Sequence, residues 1–206
     1  MSLLLKRSTY KVIKKLRSWW YPPLPIIELK DEHIKNCKLV LGRDELLNAL
    51  PKHASVAEIG VERGLFSVDI IKHCEPSSLT LVDSWTTESI WEECQANLSG
   101  KDVEFVKAMS FDYLARAEAN SLDWVYIDTD HTYSTTKKEL ELAAKCVKSN
   151  GYICGHDYTA VGYDGLRKYG VVEAVNEFCV NQGYEFAYLT SETDRHLSYA
   201  IKKINS

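Results

Sequence analysis

The sequence predicts one α/β domain: an open, mostly parallel, doubly wound sheet with helices on both faces. Apolar runs of five to seven residues recur from residue 55 onward, and segments of helical periodicity separate them. The runs are apolar almost throughout rather than alternating, as in strands buried on both faces by crossover helices. A length of 206 residues with 45% hydrophobic content suits one domain with a substantial core and is short for two.

The elements follow in order. SVAEIG (55–60) reads as a buried strand, and Leu65, Val68 and Ile71 after it share one helical face. LTLVD (79–83) is a second strand, residues 87–98 a second helix, and VEFVKA (103–108) a third strand. LDWVYID (122–128) is the fourth. The next helix places Leu140, Ala143, Ala144 and Val147 on one face, with Asn150-Gly151 marking its end. YICGHD (152–157) is the fifth strand, and Val171, Ala174, Val175 and Phe178 form a further helix face. YEFAYLT (184–190) and LSYAIKKI (197–204), joined by only SETDRH, predict an antiparallel hairpin at one edge of a seven-stranded sheet.

Charge divides the chain. Six of its 25 basic residues, Lys6, Arg7, Lys11, Lys14, Lys15 and Arg17, lie within residues 1–27 without a single acid, leaving 19 basic residues against all 29 acidic ones. The body is acidic, which argues against nucleic acid as its main partner, because phosphate binding needs a basic face. Residues 1–50 are read as a basic arm followed by lid or oligomer-contact helices, and 51–206 as the ligand-binding domain. The arm, with Trp19-Trp20-Tyr21 and the break at Pro22-Pro23-Leu24-Pro25, is either an interfacial membrane anchor or a segment packing over the site or a partner subunit. The second reading is preferred. No stretch has the length of a membrane span or the apolar core of a signal peptide, and the six cysteines form no CxxC pair. Reduced, buried thiols and a cytoplasmic location are expected.

Ligands of such sheets bind beyond the carboxyl ends of the strands. Those ends supply Glu58 to Gly64, Asp83, Met109-Ser110, Asp128 to His131 and His156-Asp157. The turn Gly60-Val61-Glu62-Arg63-Gly64 leads into a helix, as phosphate-binding turns do. It is not GxGxxG, and its acids Glu58 and Glu62 suit an ammonium or hydroxyls better than a pyrophosphate. Asp83, nineteen residues after Gly64, is spaced to accept hydrogen bonds from both hydroxyls of a ribose. A nucleoside carrying an amino acid satisfies both observations.

The segments VAEIGVERGLFS, LTLVDSW, LDWVYIDTDHTY and NGYICGHDY resemble successive motifs of the class I S-adenosylmethionine-dependent methyltransferases. Within that class the likeness is to the subgroup of macrolide-sugar and related small-molecule O-methyltransferases, and it covers about residues 54–190. The resemblance implies a Rossmann-like fold with strand order 3-2-1-4-5-7-6. It also implies a cofactor-binding set of Glu58, Gly60, Val61, Gly64, Asp83, Ser84, Trp85, Ser110 and Asp128, with Glu58, Gly60 and Gly64 around the methionine moiety, Asp83 on the ribose, and Trp85 and Ser110 near the adenine. Where the adenine-side motif often reads Gly-Asp-Ser, this chain has Ala108-Met109-Ser110, and the acid that meets the adenine amino group is missing.

Methyl transfer to an alcohol requires that the acceptor lose a proton, and a divalent cation on the hydroxyl stabilises the developing alkoxide. Asp128 and Asp157 offer hard oxygen ligands. Where metal-dependent relatives carry an acidic pair after the fifth strand, this chain has His156-Asp157, so the expected ligands are Asp128, His156 and Asp157, for magnesium or manganese. His131, in an Asp-x-x-His arrangement with Asp128, is the expected general base, or else a loop residue that orients Tyr133 or Asp130. The expected function is O-methylation of a small hydroxylated acceptor; the alternatives are a nicotinamide-dependent oxidoreductase and a non-catalytic membrane-associated protein.

Overall fold

The computed structural model describes residues 23–162, 167–192 and 196–204. The basic stretch of the arm and its Trp19-Trp20-Tyr21 cluster lie outside the described residues. Strands β1 (Lys38–Val40), β2 (Ser55–Ile59), β3 (Ser78–Asp83), β4 (Glu104–Lys107), β5 (Leu122–Ile127), β6 (Val147–Gly155), β7 (Tyr184–Thr190) and β8 (Tyr199–Lys203) form one sheet in the order β4-β3-β2-β5-β6-β8-β7-β1. Only β8 runs antiparallel to its neighbours, β6 and β7. The expected seven-stranded order is therefore present, with one addition. Lys38–Val40 pairs in parallel with Tyr188–Thr190, so the hairpin is not at the edge.

Alternation along the strands explains why they are apolar throughout. On β5, Trp124 and Tyr126 point into one core cluster with Leu46, Leu47, Leu81 and Ile70, while Val125 and Ile127 point into the other with Leu140, Ile153, Val175 and Phe178. Both faces are covered. Among the described helices, α1 (Asp31–Ile34), α2 (Arg43–Ala49), α3 (Leu65–Cys74) and α4 (Glu88–Asn97) precede β4, and α5 (Ser110–Arg116), α6 (Tyr133–Cys146) and α7 (Val171–Gln182) follow it. Part of the segment read as lid or oligomer contact is built into the fold: β1 extends the sheet, and Leu46 and Leu47 of α2 are fully buried.

Two local expectations are corrected. The buried stripe of α3 is Ser67, Ile70 and Cys74; Leu65 is largely exposed and Val68 and Ile71 are half-buried. A serine displaces the apolar face because its hydroxyl is needed against the sheet, as described below. Helix α6 ends at Cys146 rather than at Asn150-Gly151, and β6 begins at once at Val147. Leu122 pairs with Val147, and the register then shifts so that Trp124 faces Tyr152. The Asn-Gly pair thus sits in a strand irregularity, not at a helix cap.

Registry places the site. Ile59 is level with Val82 and Ile127, and Ile127 with Gly155. The next residues, Gly60, Asp83, Asp128 and His156, consequently stand in one row at the carboxyl edge.

Candidate functional site

A cleft of about 750 Å³ opens along that row, lined from the ends of β2, β3, β4 and β5 and the starts of α3 and α5. Its first half is the glycine turn. Gly60 has φ +89°, and a Cβ there would overlap the carbonyl oxygen of Asp128; Gly64 has φ +72°, and a Cβ there would press on Leu98 and Cys94. Both positions need a left-handed backbone and a missing side chain. The close neighbours that demand it belong to the chain itself.

Asp83 pins this turn. Its Oδ2 accepts from the backbone N–H groups of Val61 and Glu62, both at 2.9 Å, and its Oδ1 accepts from the Trp85 N–H at 2.9 Å and the Ser84 hydroxyl at 3.4 Å. An ionised carboxylate offers about four acceptor positions. Oδ2 is filled, so Oδ1, with only a long bond to Ser84 beside the Trp85 contact, is the oxygen with capacity for a ligand hydroxyl. Trp85 does not line the cleft. It is buried, donates from Nε1 to the Glu62 carbonyl at 2.9 Å and packs against Trp91 and Phe105, supporting the turn from beneath. Glu58 is 1% exposed and accepts from the Ser67 hydroxyl at 2.5 Å. Burial pushes its carboxyl up to about 8; the Ser67 bond opposes this, and the nearby Asp128, Asp83 and Asp69 add to it.

At the end of β4 the lining is Ala108, Met109, Ser110 and Phe111, and Met109 is 57% exposed. Ser110 faces inward to Glu139 of α6, a carboxyl that burial raises to about 7 against the hydrogen bonds of Ser110 and Thr129. In all, Glu58, Glu62, Asp69, Asp83, Asp128 and Asp130 line the cleft against Arg43 and Arg63. This acidic, acceptor-rich lining suits ligand hydroxyls and cationic groups better than a pyrophosphate.

The second half of the site gathers the histidines. His131 Nε2 lies 3.2 Å from Asp157 Oδ2, and its Nδ1 lies 3.8 Å from Asp128 Oδ1. One ligand atom from each of Asp128, His131 and Asp157 fits within 4.8 Å of the other two. The expected trio contained His156 in place of His131. His156 flanks the cluster, with Nδ1 at 3.5 Å from Asp128 Oδ2 and 3.7 Å from Asp157 Oδ1, while its buried Nε2 has no hydrogen-bond partner. Burial pushes the His156 imidazole down, but the hydrogen bond and charge of Asp128, with Asp157, outweigh it and leave the net shift upward. His131 and Asp157 both adopt left-handed φ, +61° and +57°, which costs of the order of 1–3 kcal/mol each and is sustained by the surrounding structure.

Sequence reasoning missed His196. Its Nδ1 contacts Asp157 Oδ1 from the β7–β8 connection. The signal was available: β7 runs in the same direction as β6, so the connection that follows β7 returns to the carboxyl edge beside Asp157. Glu139 and Arg43 were also missed, being helix residues with no motif.

Residues 57–158 match the family model described as a methyltransferase domain. None of the curated proteins matches the chain in sequence. Solved structures share its fold at low identity. A SAM-dependent methyltransferase from Aquifex aeolicus aligns with TM-score 0.58 and 14% identity, over 78% of this chain and 89% of its own. A protein from Corynebacterium glutamicum aligns with TM-score 0.60 and 14% identity over 100% and 92%. The tRNA methyltransferase TrmK of B. subtilis aligns with TM-score 0.58 and 9% identity over 81% and 67%. The matched segment spans just under half of the chain, and these solved structures, all at 14% identity or less, share its fold.

Proposed function

We propose that the protein transfers a methyl group from S-adenosylmethionine to a hydroxyl oxygen of a small, uncharged or cationic acceptor. The observation that carries this reading is the level row of strand ends, with cofactor-type carboxylates on β2 and β3 and an Asp-His-Asp cluster after β5 and β6. When bound, S-adenosylmethionine supplies an activated methyl group on a sulfonium. Glu58 and the turn around Gly60, Val61 and Gly64 bind its amino-acid end, and Asp83 Oδ1 with Ser84 binds the ribose. Ala108 to Phe111 cover the adenine; the missing acid at Met109 leaves an apolar contact there.

His131 takes the acceptor's proton. Its Nε2 faces the buried Asp157, which favours the tautomer protonated at that nitrogen and leaves the Nδ1 lone pair on the cleft side, next to Asp128. Asp157, also contacted by His196, is a positioning residue that stabilises the imidazolium once formed. The acidic lining disfavours phosphate-rich acceptors such as nucleic acid.

The spacing of Asp128, His131 and Asp157 favours a second reading, in which these groups would hold a divalent cation, which would supply Lewis-acid polarisation of the acceptor hydroxyl. The orphaned Nε2 of His156 is compatible with it. The test is methyl transfer to a panel of hydroxylated small molecules with and without chelator. Transfer that survives the chelator and is lost in His131→Ala supports the proton-acceptor reading. Loss in the chelator, restored by magnesium or manganese, supports the metal reading, and failure of the protein to bind S-adenosylmethionine in calorimetry refutes both.

A further inference from the structure

Outside that cluster, a second set of cation-binding groups sits where α2 meets α3. Asp44 lies in the first turn of α2, and Asp69 and His73 are one turn apart on α3, on the same helix face. One ligand atom from each lies within 4.8 Å of the other two. His73 Nδ1 is 3.1 Å from the Asn48 side-chain oxygen; with the ring hydrogen on Nδ1, donated to that oxygen, the Nε2 lone pair is free. That Nε2 is fully buried without a hydrogen-bond partner, and it faces Asp44 Oδ2 at 3.6 Å.

A lone pair aimed at a carboxylate is an arrangement of two acceptors with nothing between them. Either a proton or a cation must occupy the gap. We propose that Asp44, Asp69 and His73 bind a divalent cation of the Zn²⁺ type and so clamp α2 to α3 at the rim of the cleft. One imidazole with two carboxylates suits a borderline transition ion better than magnesium. Bonds of about 2.0–2.2 Å to a tetrahedral ion put ligand atoms roughly 3.3–3.6 Å apart; the Asp44–His73 separation of 3.6 Å already meets this, and the Asp69 oxygen lies within 4.8 Å of both. Asn48 plays the part usual for partners of metal-binding imidazoles, fixing the tautomer from behind. The position matters because Asp69 and the neighbour of Asp44, Arg43, both line the cleft. Binding here withdraws one carboxylate from the cleft's lining and fixes α2 against it.

Calorimetry and cobalt(II) absorption on the full chain, with Zn²⁺ or Co²⁺ as the sole added ligand and a reductant present, test the proposal. The expected result is one binding equivalent that disappears in His73→Gln and weakens at least tenfold in Asp44→Asn, while Asp128→Asn retains it. Asp44 is well exposed, so its variant keeps the fold and makes the comparison fair. The same equivalent raises the melting temperature of the wild type and of Asp128→Asn but not of His73→Gln. An unchanged stoichiometry in His73→Gln, or a wild type that binds no ion, overturns it.

Discussion

Replacing Glu58 by glutamine removes a buried ionisable group while keeping its shape and its acceptor oxygen for Ser67. The carboxyl titrates near 8 in the folded protein against an ordinary value of 4.5. The folded state therefore holds its proton more tightly than the unfolded chain does. Its contribution is fully present below pH 4.5 and is lost as the pH rises towards 8 and the proton must leave a desolvated site. At about 1.4 kcal/mol per pH unit over this window, the loss amounts to on the order of 5 kcal/mol, comparable with the whole stability of many domains. Glu139, raised to about 7 by its burial, adds a slope of the same sign, but both proteins retain it and it cancels in the difference. Urea unfolding followed by tryptophan fluorescence at half-unit steps from pH 4.5 to 9 measures the effect. The wild type should lose stability relative to Glu58→Gln progressively across that range, and the curves should run parallel above about pH 8.5. Curves parallel throughout would show that Glu58 titrates at an ordinary value, and the account of it as a buried carboxyl that holds its proton would fall.

Three further outcomes are expected. Asp83→Asn weakens the hydrogen bonds that tie Val61, Glu62 and Trp85 to β3 and should lower S-adenosylmethionine affinity by roughly 1–3 kcal/mol in calorimetry, with unchanged affinity counting against its ribose role. His131→Ala should reduce turnover by about 10²–10⁴-fold with cofactor affinity intact; a loss of binding instead would assign the residue to the fold of its loop. Gly60→Ala should destabilise by more than the roughly 1–3 kcal/mol of a strained backbone, because its methyl also meets the Asp128 carbonyl, and a melting temperature equal to wild type would contradict the packing described.

The sheet was legible because burial on both faces leaves each central strand uniformly apolar, a pattern that does not depend on exact registry. Hence β2, β3, β5 and β8 lie within a residue or two of their expected bounds. Local periodicity failed where a polar group is structurally required. Ser67 holds the buried face of α3 because Glu58 beneath it needs a donor, and no reading of Leu65, Val68 and Ile71 alone reveals a need that arises on the preceding strand. Strand β1 was unreadable for the opposite reason: three residues, two of them exposed, carry no alternation, and only the free edge of β7 recruits them.

The site divides along the same line. Glu58, Asp83, Asp128 and Asp157 could be read because each lies within two residues of its strand's carboxyl end, and parallel registry makes sequence position a proxy for location at the edge. Roles were not fixed by that proxy. Trp85 lies within two residues of Asp83 yet turns inward to the Glu62 carbonyl, since φ +37° reverses the chain just after β3. His131 and His156 exchanged places in the cation-spaced trio for a related reason: left-handed φ at His131 and Asp157 turns both side chains toward each other, and His156 is left beside them. Side-chain direction after a strand depends on one dihedral angle, and a residue that departs from the common region to reach its partner erases the signal by which its direction would have been read. At the strained residues of the edge, His131 and Asp157, location was thus legible in the sequence and side-chain direction was not.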